Sequence, residues 1–255
     1  MSDDDLLEPV ITIARAACEA IMAHYHTGAE IRNKADGSPV TAADHAADAV
    51  IVPALVALTP DIPVISEERV EAGDAATIAD GPFWLVDPLD GTREFISRNG
   101  DFTVNIGLVR NREPALGVVA TPVDGRIWAG VAGTGAFTEP HRGARRKIRT
   151  RVAEPDALTV VASRSHRSPE LEEYIAGLPV VASVARGSAL KFCLVAAGEA
   201  DLYPRTGPTM EWDTAAGHAI VLAAGGSVER FDGASFTYGK PDFRNGWFLV
   251  RGRNS

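Results

Sequence analysis

The chain has 255 residues, 45% of them hydrophobic and 23% charged, a balance that suits one large folded domain or two smaller ones sharing an interface. Its formal charge of −9 argues against a nucleic-acid partner, which needs a basic face. No apolar run reaches the roughly 18 residues of a membrane span, and the acidic opening MSDDDLLEP is the reverse of a signal peptide's basic start.

Residues from about Asp4 to Tyr25 set Leu7, Val10, Ile11, Ala14, Ala17, Cys18 and Ile21 on one face, the pattern of an amphipathic helix. Thr41 can cap a second helix with Asp44 in its first turn and Val50, Ile51, Ala54, Leu55 and Leu58 behind it. Pro53 inside that pattern removes one helical hydrogen bond and predicts a kink. Short strand-like runs follow: PVIS to Ser66, FWLV to Val86, FTVNIGLV from Phe102, ALGVVATP, and RIWAGV. The last two are joined through Asp124-Gly125, a hairpin signal. The first half thus reads as two helices against a largely antiparallel sheet.

The stretch Glu139 to Arg151 is polar and basic, and is expected to be a solvated connection between halves, residues 1–150 and 151–255. Beyond it strands alternate with helices. LTVVASRS is strand-like, Ser168-Pro169 opens a helix, PVVASVA is a strand, and SALKFCLVAAG is a helix closed by Gly198. ADLYP is a further strand, a helix runs from about Asp213 to Ala224, and WFLV ends the pattern. Such alternation implies α/β packing in the second half. Cys18 and Cys193 lie in apolar helical patterns and are expected to be buried free thiols.

Three acidic groups stand at strand ends. In WLVDPLDGT an apolar run meets Asp87 and Asp90, with Pro88 fixing the turn so that both carboxylates reach one locus. VISEE brings Glu67 and Glu68 to the end of another strand, and EWDTAAGHA sets Asp213 at a helix start. Any one could be a loop turn or a helix cap. Close carboxylates repel unless a cation lies between them, and hard oxygen ligands suit Mg²⁺. Three such clusters in one chain fit a shared site for two or three metal ions and phosphate chemistry.

SEE, DPLDGT and WDTAAGHA, in this order, resemble the inositol monophosphatase superfamily of Mg²⁺-dependent phosphatases. The longer strings DPLDGTREFISRNGDFTVNIGLV, SRSH, GSALKFCLVAAGEADLYPR and WDTAAGHA look closer to its CysQ-type 3′(2′),5′-bisphosphate nucleotidase branch, from about Val40 to Gly226. The resemblance implies a layered αβαβα sandwich. It implies that Glu67, Asp87, the Leu89 carbonyl, Asp90 and Asp213 hold the metal ions, with Glu67 also serving the site where water is activated. Asp44 and Thr92 resemble the pair that orients and deprotonates the water, and Gly91 and Thr92 would offer backbone amides to the phosphate. Glu68 is not among the family's ligands and reads as a supporting or surface residue.

GSALKFC places Ser188 at a helix start and Lys191 one turn later on the same face, a setting for a second phosphate. In the nucleotidase branch the positions of His166, Ser188, Lys191 and Arg205 contact the nucleotide. Without the resemblance, Lys191 reads as a surface lysine and His166 as a loop residue. Arg93 and Arg98, flanking the metal loop, read equally as substrate-steering or solvated.

The expected activity is removal of the 3′-phosphate of 3′-phosphoadenosine 5′-phosphate, with the sulfated precursor as a second substrate, in sulfur assimilation. An inositol or sugar phosphatase is the alternative, and a nucleotide sensor without catalysis is the third reading. A cytoplasmic location is expected, with peripheral contact at the inner membrane's cytoplasmic face left open, as is the choice between monomer and homodimer. Lithium sensitivity is implied by the resemblance alone.

Overall fold

A computed structural model describes residues 1–27, 31–33, 39–74, 78, 81–164 and 168–253. The elements run α1 (Asp3–Thr27), β1 (Ile31–Asn33), β2 (Pro39–Thr41), α2 (Ala42–Leu58), β3 (Val64–Ser66), α3 (Glu67–Glu71), β4 (Phe83–Asp90) and α4 (Thr92–Ile96). The meander β5 (Thr103–Arg110), β6 (Glu113–Thr121), β7 (Arg126–Val131), β8 (Gly135–Glu139) and β9 (Arg146–Ile148) follows. Then come β10 (Leu158–Ser163), α5 (Pro169–Ala176), β11 (Val180–Arg186), α6 (Leu190–Ala196), β12 (Leu202–Arg205), β13 (Thr209–Met210) and α7 (Glu211–Ala223). β14 (Ser227–Arg230), β15 (Arg244–Asn245) and β16 (Phe248–Arg251) complete the order.

Seven strands form one sheet in the order β3-β4-β5-β6-β7-β8-β9, antiparallel except for the parallel pair β3 and β4. Five form a second sheet, β11-β10-β12-β16-β14, parallel on the β11 side and antiparallel around β16. Helices α1 and α2 cover the outer face of the first sheet, α6 and α7 lie between the sheets, and α5 packs on the outer face of the second. The result is the αβαβα sandwich expected from the sequence.

The helical periodicity of α1 explains its place. Leu6, Val10, Ile11, Ala14, Ala17, Cys18 and Ile21 recur at three- and four-residue steps and are buried against the sheet. Each fully buried Leu, Val or Ile of this kind contributes about 1.5–3 kcal/mol. α2 is held at its start by a capping box: the Thr41 hydroxyl accepts from Ala43 N at 3.1 Å, and Asp44 accepts from Thr41 N at 2.8 Å. The helix runs on through Pro53 as one element.

The middle layer depends on missing side chains. Gly107, Gly117 and Gly130 are direct register partners across β5, β6 and β7 and so line one face of the sheet. A methyl group on Gly117 would collide with the Ala216 carbonyl, and one on Gly107 or Gly130 would lie 2.8 Å from Ala216 N or 2.7 Å from Ala223 Cβ. This row of glycines lets the alanine face of α7 sit directly on the sheet. On the other side of the helix, a methyl at Gly217 would lie 2.6 Å from Phe192 of α6.

The basic stretch adds a strand to what was expected. It is exposed as expected from His141 to Lys147 but also carries the edge strand β9, and the exposed Arg145 lies over Phe137 at 3.9 Å and pairs with Glu8 of α1 at 2.5 Å and Glu139 at 2.8 Å. Both cysteines are buried and free, and burial pushes the Cys18 thiol up to about 12. Among the described residues no helix is long and apolar enough to cross a membrane.

Candidate active site

Parallel pairing of β3 with β4 sets Ser66 opposite Val86, so the next residues, Glu67 and Asp87, emerge at the same end of the sheet. Three steps along β4, from Asp87 to Asp90, face only two along β5, from Asn105 to Thr103. In a regular strand residues three apart point to opposite faces. The extra residue is a bulge that resets the alternation and returns Asp90 to the side of Asp87. The Leu89 N–H turns back to Asp87 Oδ1 at 3.0 Å, and Asn105 Nδ2 donates to Asp90 at 3.1 Å.

From the second half, α7 delivers Asp213 in its first turn, where one oxygen accepts from Met210 N at 2.7 Å. Glu67, Asp87 and Asp213 each offer a carboxylate oxygen, all within 4.8 Å of one another. Burial, then Asp90 and Glu67 beside it, holds the Asp213 carboxyl well above the usual carboxylate range. Asp90 is raised by burial too, against the opposing pull of Lys191 and Asn105. Carboxylate oxygens crowded together and partly withdrawn from water are a donor set that a hard divalent cation fits.

Gly91 follows at φ +95°, a left-handed turn that starts α4 at Thr92. The Thr92 hydroxyl donates to Asp44 Oδ1 at 3.1 Å, while the other Asp44 oxygen accepts from the Thr41 hydroxyl at 2.7 Å and from its N–H. Asp44, which closes the α2 capping box from N3, is thus also a hydrogen-bond acceptor for the threonine that opens α4. Glu68 is buried with its carboxylate 3.3 Å from His45 Nδ1.

Glu67, Asp90, Thr92, Ser188, Lys191, Arg205 and Asp213 line a cavity of about 270 Å³. Lys191 and Arg205 are both buried. The Lys191 ammonium is pushed down to about 8 by burial, with Asp90 opposing the shift. It donates to the Ser188 carbonyl at 2.5 Å and lies 5.3 Å from the Tyr203 ring centre. Arg205 ends β12, donates to the Pro208 carbonyl at 3.0 Å, and leaves a buried Nε–H without a partner among the described residues.

Ser188 departs from its expected place. It stands two residues before α6, at φ +51°, and its hydroxyl meets the backbone carbonyls of Asp90 and Asp101 rather than the cavity. His166 lies outside the described residues. Of the flanking arginines, Arg93 lines the cavity, whereas Arg98 turns back over Tyr25 at 5.9 Å. Sequence reasoning missed Asn105, Asp101 and Tyr203; a lone amide inside the apolar run TVNIGLV was the one signal available.

The family model described as the inositol monophosphatase family matches residues 2–246. The chain belongs to this family. Its members depend on a divalent metal, typically Mg²⁺. The chain is 48% identical to a Salmonella typhimurium protein named 3′(2′),5′-bisphosphate nucleotidase CysQ, over 96% of this chain and 99% of that one. It is 47% identical to the protein of the same name from Escherichia coli strain K12, with the same coverage. Among solved structures, CysQ from Bacteroides thetaiotaomicron superposes with a TM-score of 0.81 at 39% identity, covering 97% of both chains. An inositol monophosphatase from Anabaena gives 0.77 at 26% identity, covering 98% of this chain and 91% of the other.

Proposed function

We propose that the chain is a Mg²⁺-dependent phosphatase that hydrolyses the 3′-phosphate of 3′-phosphoadenosine 5′-phosphate to give AMP and phosphate, with the sulfated precursor as a second substrate. The observation that carries this reading is one cavity lined at once by acidic loop residues and by two buried cations, Lys191 and Arg205. A monoester needs the acidic side alone. A second anionic group on the substrate gives the buried cations a partner, and near-full-length identity of 47–48% to named bisphosphate nucleotidases supports it.

Glu67, Asp87, the Leu89 carbonyl, Asp90 and Asp213 would hold the metal, two or three ions in number. When bound, the ions would lower the pKa of a water ligand and neutralise charge on the transferring phosphoryl group. The protein's own part is positioning and proton transfer. Thr92 hydrogen-bonds Asp44, and Asp44 is fixed by the α2 cap, so a proton leaving the attacking water can pass through the threonine hydroxyl to the carboxylate. The backbone amides of Gly91 and Thr92 would receive the phosphate, and Lys191 and Arg205 the second anionic group. The substrate is a small bisphosphorylated nucleotide, and the enzyme would serve sulfur assimilation as a cytoplasmic protein.

The test is phosphate release from 3′-phosphoadenosine 5′-phosphate with Mg²⁺ and with excess EDTA. Release that requires Mg²⁺ is the expected result. Binding of the nucleotide without release at any Mg²⁺ concentration would favour a sensor and overturn the assignment.

A further inference from the structure

The first turn of α7, which carries Asp213, is gripped from the segment before β16 by a polar network that the roles above leave unused. β13 and β15 pair antiparallel with Thr209 opposite Asn245, which brings the buried Asn245 side chain to the start of the helix. Its Nδ2 lies 2.8 Å from the Met210 carbonyl oxygen, 3.1 Å from Thr214 Oγ1 and 3.2 Å from Thr209 Oγ1. Met210 is the residue whose N–H holds Asp213, and Thr209 and Thr214 both line the cavity.

The hydrogens of this network have one arrangement. A carbonyl only accepts, so the amino group of Asn245 is the end that faces Met210. The Thr214 hydroxyl places its one hydrogen on the Glu211 carbonyl oxygen at 3.1 Å. Its oxygen then accepts from Asn245 and, at 3.3 Å, from the Tyr238 hydroxyl, which in turn accepts from His218 Nδ1 at 3.0 Å. The Asn245 oxygen, by contrast, is buried without a partner among the described residues. An unpaired buried oxygen is destabilising, so this side chain serves through its N–H groups.

Glu211 fixes the platform from which Asn245 reaches across. Its fully buried carboxylate accepts from Gly239 N at 2.7 Å and Lys240 N at 2.9 Å and lies 2.6 Å from Lys240 Nζ. Its own N–H donates to the Phe243 carbonyl at 2.8 Å. Residues 239–245 are thereby strapped onto the end of the helix that presents Asp213.

We infer that Asn245 is a positioning residue that sets Asp213 for the metal by holding Met210 and Thr214 on either side of it in the chain. This rests on the reading of Asp213 as a metal ligand given above. Loss of the amide lets the first turn of α7 shift and weakens the hold on the ion that Asp213 serves.

The test titrates Mn²⁺, which takes the same oxygen ligands as Mg²⁺, into the protein in the presence of inorganic phosphate, followed by electron paramagnetic resonance. The proteins are wild type, Asp213→Asn, Asn245→Ala and Arg151→Ala; the last breaks the Arg151–Asp201 ion pair, outside the cavity lining, and controls for lowered stability alone. Asn245→Ala is expected to raise the Mn²⁺ Kd about tenfold, the low end of the range for losing a group that orients a metal ligand, while Arg151→Ala keeps the wild-type value. In steady state, Asn245→Ala should raise the Mg²⁺ needed for half-maximal rate with nucleotide and inositol 1-phosphate alike. Wild-type Mn²⁺ affinity in Asn245→Ala beside weakened binding in Asp213→Asn would overturn the inference and leave the ligand standing. Equal weakening in Asn245→Ala and Arg151→Ala would overturn it too, by making the effect one of stability. Wild-type affinity in Asp213→Asn would remove Asp213 from the metal site and the inference with it. Should Asn245→Ala fail to fold, Tyr238→Phe removes the other donor to Thr214 and must weaken Mn²⁺ binding in the same direction; unchanged affinity there overturns it equally. Wild-type protein that binds Mn²⁺ but releases no phosphate from the nucleotide would sink the nucleotidase reading alone, and the Mn²⁺ comparison would still decide Asn245.

Discussion

Asp44 has two duties that its neighbours separate cleanly: one oxygen closes the cap of α2, and the other receives the Thr92 hydroxyl. Asp44→Asn keeps the size of the side chain and removes the base. Turnover is expected to fall by about 10²–10⁴ with KM little changed, the range for losing a positioned base. The amide oxygen can still accept from Thr41, so the α2 cap and the Tm should change little. A variant with normal kcat would remove Asp44 from proton transfer. Asp87 sits deeper, within 4.8 Å of Glu67 and Asp213 oxygens. Asp87→Asn is expected to abolish turnover and to leave a folded protein; near-normal activity in that variant would sink the metal assignment.

At the scale of elements, the site depends on how β4 and α7 are seated. The carboxylates themselves were legible in the sequence, because acidic residues directly after apolar runs stand out. The bulge that returns Asp90 to the side of Asp87 was not, since strand register is a property of the pair β4 and β5 and not of either string alone. Nor was the glycine row, because Gly107, Gly117 and Gly130 come together only across three strands. Ser188 was misplaced for a related reason: GSALKFC reads as a helix start, but contacts with Asp90 and Asp101 from the other half pull Ser188 out of the helix. Gly117→Ala tests the seating of α7. A methyl group there meets backbone, which cannot swing aside, so a loss of about 1–3 kcal/mol or more is expected in denaturant unfolding. Activity should fall with it, because Asp213 rides on the same helix. Wild-type stability in Gly117→Ala would show that the layers have slack.

Across the whole molecule, α7 is the piece both sheets share, and it carries a buried histidine between them. His218 Nδ1 meets the Tyr238 hydroxyl at 3.0 Å, and burial pushes its pKa from 6.5 down to about 3. The unfolded chain gains that proton near pH 6.5, the folded one only near pH 3. Stability from the neutral ring is therefore complete above pH 6.5 and is lost progressively as pH falls toward 3. His218→Gln removes the proton site, so its unfolding free energy should fall less steeply between pH 6.5 and 4, by up to about 1.4 kcal/mol per pH unit. Identical slopes in the two proteins would show that His218 does not govern the acid response.

The central claim is that one cavity joins metal chemistry from the first half to recognition of a second anionic group from the other. It is tested most directly by kcat/KM for 3′-phosphoadenosine 5′-phosphate and for inositol 1-phosphate, in wild type and in Lys191→Ala. The nucleotide should be the better substrate of the wild type, and Lys191→Ala should lower its kcat/KM at least about tenfold, the scale of a lost charged hydrogen bond, while the inositol ester changes little. Equal losses for both substrates, or a wild-type preference for inositol 1-phosphate, would contradict the account.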